Sequence, residues 1–107
     1  MGGEERKPFV EIHMDPKGLY LEETYTDGKT GAIHRLSPVK PDGTPDEDRE
    51  VLFMGNTQLM APDGRPVPIQ CAIEASNLAE AVENFPDAVN RMVGRLMAEA
   101  EEGRNRE

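Results

Sequence analysis

Tryptophan is absent, cysteine occurs once, and histidine and serine occur twice each in the 107 residues. Each shortage removes a class of function. A lone thiol, Cys71, cannot form an intrachain disulfide, which fits a reducing compartment and makes the cytosol the expected location. No apolar run approaches the roughly 18 residues a membrane-spanning helix requires. The first residues, Met1 to Lys7, are followed by no apolar stretch of the kind a signal peptide carries. Phe9, Tyr20, Tyr25, Phe53 and Phe85 are scattered, so the chain lacks the aromatic run that stacks single-stranded nucleic acid. Neither Ser37 nor Ser76 stands in a G-x-S-x-G frame, and no glycine-rich phosphate loop or dinucleotide fingerprint is present. No catalytic residue and no cofactor is therefore assigned from the sequence.

Basic side chains are also scarce. Twelve lysines and arginines face 21 acids, for a formal charge of −9. That field opposes duplex DNA and anionic lipid surfaces. An acidic surface supports solubility, and it also suits a basic protein partner. A metal site could be drawn on paper from His13, His34, Cys71 and a carboxylate. Their spacing matches no ligand pattern, and Cys71 has the parity of a buried strand face, so no metal is expected. Asp42, Asp46, Glu47, Asp48 and Glu50 lack the order of a calcium loop, and Pro45 interrupts them.

What the chain does contain is one long amphipathic stretch, Ala75 to Glu102. Leu78, Ala81, Val82, Phe85, Val89, Met92, Val93, Leu96, Met97 and Ala100 recur at spacings of three and four, with adjacent pairs widening the stripe. Asn77 with Glu80 three residues later reads as a capping box, with Ser76 as the competing cap. Pro86 permits two forms: one kinked helix, or two abutting helices with Pro86 in the first turn of the second.

Upstream, short alternating segments are separated by Pro/Gly turns. Phe9–Met14 predicts a first strand, with Val10, Ile12 and Met14 on one side. Leu19–Thr26 and Ala32–Leu36 predict a hairpin across Asp27-Gly28. Val51–Met60 is extended, with a bulge, bend or turn at Gly55-Asn56. Val67–Glu74 alternates most cleanly, and Pro68 within it points to an edge or a strand start. Pro-Asp-Gly occurs at 41–43 and again at 62–64, with flanks too different to form a repeat.

These elements predict an α+β two-layer domain. A mostly antiparallel sheet of four or five strands is covered by the C-terminal helix or kinked helix pair. Residues 1–7 are expected as a flexible tail, 8–102 as a single domain with a long loop at 37–50, and 103–107 as a frayed end.

The function expected from this composition is a small cytosolic protein-interaction or accessory module, with a homodimer in view and no catalysis of its own. Its interaction surface would use Met92 and Met97 on the helix flank, or Asp46, Glu47 and Asp48 in the acidic loop. Methionine-rich surfaces adapt to hydrophobic partners. The alternative is a small enzyme or ligand-binding domain with a pocket between helix and sheet. His13, His34, Tyr20, Tyr25 and Arg35 are its candidate residues, and nothing in the sequence specifies a small molecule. His13 and His34 on neighbouring strands would form a pH-sensitive pair.

Overall fold

The computed structural model describes residues 10–105. Four strands run in chain order, β1 (Tyr20–Thr26), β2 (Gly31–Pro38), β3 (Leu52–Met60) and β4 (Pro66–Ile73), and one helix follows, α1 (Leu78–Asn105). The strands form an antiparallel meander in the order β1-β2-β3-β4. β1 and β4 are thus the two edges.

Alternation assigns the faces. Ile33, Phe53, Ile69, Cys71 and Ile73 are buried on the side toward α1, where Ala81 and Ala88 complete the core. Leu78, Phe85, Val89 and Met92 pack against that cluster. The side chains of Thr24, His34, Met54 and Asn56 belong to the opposite face, which α1 does not cover.

α1 begins where its cap predicts. Asn77 Oδ1 accepts from the Glu80 N–H at 2.8 Å, and Glu80 Oε1 accepts from the Ser76 N–H at 2.6 Å. These bonds satisfy amides that lack helical partners, and Glu80 sits at the positive end of the helix. The helix continues through Pro86 without a break. Pro86 and Val82 are on the exposed side, where water can satisfy the Val82 carbonyl that loses its donor.

Gly55 does not turn the chain. It lies inside β3, and a methyl group there would stand 3.0 Å from Ile73 Cδ1 and 3.0 Å from Phe85 Cε1. The missing side chain is the seat of the Phe85 ring. Gly31 is needed for a different reason: its Cβ would collide with the carbonyl oxygen of Asn56 on β3.

The two Pro-Asp-Gly tracts, unlike in their flanks, adopt one turn. Gly43 N–H donates to Lys40 O at 2.8 Å and Lys40 N–H to Thr44 O at 2.7 Å. Gly64 N–H donates to Ala61 O and Ala61 N–H to Arg65 O, both at 2.8 Å. Gly43 and Gly64 take φ of 91° and 89°, the left-handed position of a three-residue hairpin loop. Residues 38–46 are consequently paired through the backbone: β2 extends to Pro38, Val39 bridges Pro45, and Asp46 N–H donates to Pro38 O.

The expected strand at Phe9–Met14 is not formed. Phe9 lies outside the described residues; residues 10–14 are irregular and exposed. Asp15-Pro16-Lys17-Gly18-Leu19 has the same Pro and Gly spacing as the other two turns and makes their first bond, Gly18 N–H to Asp15 O at 3.1 Å. Its second bond would need the Leu19 carbonyl. That oxygen already accepts from Val39 N–H at 3.1 Å and Arg49 Nη2 at 2.9 Å. Gly18 is also absent from the positive-φ glycines.

Replacing Gly55 by Ala should lower stability by about 1–3 kcal/mol through overpacking against Phe85. Gly31→Ala should cost more, because a carbonyl moves less readily than a ring. Urea unfolding of both variants, with the helical signal as readout, checks the order.

Candidate functional site

Two polar clusters and one apolar groove are built by the β1–β2 hairpin and its neighbours. On the uncovered face, His34 is half-buried in β2. Its Nδ1 lies 3.0 Å from Thr24 Oγ1 and 3.1 Å from Glu22 Oε2, and its Nε2 lies 2.8 Å from Asn56 Nδ2. With Asn56 donating, Nε2 is the acceptor and Nδ1 carries the proton toward Glu22 and Thr24. Both ring nitrogens are thereby occupied, and the imidazole ties three strands together.

On the helix side, Arg35 Nε and Nη2 donate to Glu23 Oε1 at 2.9 and 2.7 Å, with Arg35 stacked over Tyr25 at 5.5 Å. The carboxylate holds the Arg35 pKa above its ordinary value. Beside Tyr25, between the hairpin end and α1, a groove of about 380 Å³ is lined by Ile33, Leu78, Val82, Phe85 and Pro86.

The five pocket candidates do not converge. His13 lies in the irregular segment before β1, so it does not pair with His34 across neighbouring strands. His34 and Tyr20 belong to one face of the sheet, Tyr25 and Arg35 to the other. Tyr25 alone of the five lines the groove. Cys71 is buried under α1, and burial pushes its thiol pKa up. Among the described residues, no group of three or more His, Cys, Asp or Glu side chains could hold a metal ion. No described helix is long and apolar enough to cross a membrane.

The acidic loop is organised by Arg49, a residue the sequence reading passed over. Its Nε donates to Asp46 Oδ2 at 3.0 Å, its Nη2 donates to Leu19 O at 2.9 Å and Val39 O at 3.0 Å, and its guanidinium stacks over Tyr20 at 5.0 Å. A single base inside PDGTPDEDRE was the available signal. Asp46 is therefore engaged internally, while Glu47 and Asp48 are exposed. On α1, Met92 is half-buried against the core and Met97 is 66% exposed. Leu96, 41% exposed beside it, was the other residue missed as a surface candidate.

Three turn carboxylates are held below the ordinary aspartate range. Asp27 accepts from the Thr30 and Lys29 amides, Asp42 from the Thr44 hydroxyl and amide, and Asp46 from Arg49 and the Asp48 amide. Comparison with known protein families, curated proteins and solved structures found no match.

Depressed carboxylate pKa values stabilise the fold above the ordinary aspartate pKa of about 4. That contribution disappears as pH falls below it through the folded-state values. The urea midpoint should therefore drop from pH 6 to pH 3, and Asp27→Ala should flatten the drop. Arg49→Ala should speed amide exchange at Lys40 and Asp46, measured by NMR, while leaving the β3–β4 ladder protected.

Proposed function

We propose that this chain is a small acidic protein-interaction module of the cytosol, without catalytic activity of its own, that works as a homodimer joined through the second half of α1. The observation that carries this reading is the length of the helix relative to its sheet. α1 has 28 residues, about 42 Å at 1.5 Å per residue. Its packing on the core ends at Met92.

Beyond that point Val93, Leu96, Met97 and Ala100 continue the apolar stripe, and residues 94–103 are all exposed. An uncovered stripe on a helix in water is the pattern of a helix that packs on another. The flanking charges favour a second copy. Arg91 and Arg95 precede Leu96 and Met97, and Glu99, Glu101 and Glu102 follow them. Two antiparallel copies crossing near Leu96 place Arg91 and Arg95 of each beside Glu99, Glu101 and Glu102 of the other. This contact would be isologous, as two-fold dimers require. The acidic 42–50 loop, with Glu47 and Asp48 outermost, would remain available to a basic partner.

A second reading rests on the groove beside Tyr25. Its largely apolar lining would admit a small hydrophobic molecule between helix and sheet. Val82→Glu would abolish such binding, measured by quenching of an apolar fluorescent probe.

Size-exclusion chromatography with light scattering tests the dimer. The chain should elute at twice its 11.9 kDa mass. Leu96→Lys combined with Met97→Lys should weaken association by about a hundredfold or more, since four apolar anchors are lost per dimer. A monomeric parent chain at high concentration overturns the proposal.

A further inference from the structure

The two sheet edges are not equivalent. On β4, the bonded pair Ala61–Arg65 and the register Met60↔Pro66 make the odd residues pair with β3. Pro66, Pro68, Gln70 and Ala72 therefore direct their backbones outward. Two of these four have no N–H, so this edge is blunted against strand addition. On β1, the bond from Val39 N–H to Leu19 O and the register Tyr20↔Pro38 make the odd residues pair with β2. Tyr20, Glu22, Thr24 and Thr26 direct intact donors and acceptors outward. Among the described residues, β1 is the open edge.

Residues 10–14 carry a strand's alternation but pair with no strand among the described residues. Val10, Ile12 and Met14 alternate with Glu11 and His13, and are 73, 78 and 79% exposed. A tight hairpin cannot deliver this segment to its own β1. A two-residue loop at Pro16-Lys17 would present the segment to the even residues, but such loops need positive φ after Asp15, and proline is locked near −65°. The three-residue loop of the sibling turns needs the Leu19 carbonyl, which faces β2 and is occupied there. A wider loop spends the Met14 end of the run on the turn.

We propose that residues 10–14 of one copy add as a strand to the β1 edge of a second copy, reciprocally, extending both sheets. The backbone contributes the hydrogen bonds. The side-chain pattern sets the facing. Leu21, 55% exposed, and Tyr25 lie on the helix side of β1, and Val10, Ile12 and Met14 cover them there. Glu11 and His13 fall on the polar side with Glu22 and Thr24. The inference rests on the chain being self-associating, but not on the helix contact.

Amide hydrogen exchange by NMR on the full chain tests it. The amides of Tyr20, Glu22 and Thr24 have no partner within the sheet. They should exchange about tenfold or more slowly in the associated state, along with alternate amides in 10–14, and the protection should rise with protein concentration. In a mixture of labelled and unlabelled copies, nuclear Overhauser contacts should join Ile12 of one copy to Leu21 of another. Ile12→Asp should remove both signals without changing thermal stability at low concentration, since Ile12 is exposed in the single chain. Leu96→Lys with Met97→Lys should leave the edge protection at a protein concentration high enough to restore association. Fast exchange at Tyr20, Glu22 and Thr24 in an associated chain overturns the proposal. So does protection independent of concentration with contacts confined to one copy, which would mean that the chain's own segment folds back.

Discussion

The seating of the Phe85 ring on Gly55 is the contact on which the remaining architecture depends. It sets how closely α1 approaches β3, and through that distance it determines which side chains are sealed beneath the helix. Phe53, Cys71 and Ile73 are buried there at 3, 3 and 4% exposure. Each full burial of a large apolar side chain contributes about 1.5–3 kcal/mol, so a handful of residues dominates a small core. Ala81 and Ala88 permit the close approach from the helix side. The alignment also commits α1 mainly to β3 and β4, leaving Leu21 exposed at the β1 edge and opening the groove between Tyr25 and Val82.

A second constraint acts through single carbonyl groups. Three tracts share the spacing of Pro and Gly, and two of them close hairpins. The third does not, because the Leu19 oxygen is claimed by β2 and by Arg49. Arg49 thus has two consequences from one position: it anchors the acidic loop to the start of β1, and it withholds the acceptor that would fold residues 10–14 back. The polar clusters follow the same economy. His34 and Arg35 are adjacent in sequence yet serve opposite faces, each bonded to a carboxylate on β1. They fix the hairpin, and both ring nitrogens of His34 are used in doing so.

Three surfaces are left over, two of them adjoining, since Tyr25 and Thr26 of β1 line the groove. The second half of α1, the β1 edge and the groove are each apolar or incompletely bonded, while the surrounding charge is strongly negative. Acidic character limits nonspecific association, so the apolar positions on the helix and at the open edge can be selective. The small size of the interior points the same way, since a domain with few sealed side chains gains proportionately more from covering those that remain.

Much of the fold was legible in the residues themselves. Alternation in Val67–Glu74, Asp27-Gly28 and the cap at Asn77-Glu80 are local signals, and local geometry answers them. Pro68 indicated an edge because a missing N–H is a property of the residue alone. Other features depended on partners distant in the chain. Whether Pro86 broke the helix depended on which side met water, and whether Gly55 was a turn or a seat depended on where Phe85 arrived. Phe9–Met14 has a strand's pattern, but a strand needs an accessible edge, and the Leu19 carbonyl was spoken for by residues 20 and 30 positions away. The sequence by itself determined strands β1 to β4, the helical character of the C-terminal stretch, the buried face of each and the acidic surface. Only the tertiary structure decided which elements found partners, because each hydrogen-bonding group and each square ångström of apolar surface can be used only once.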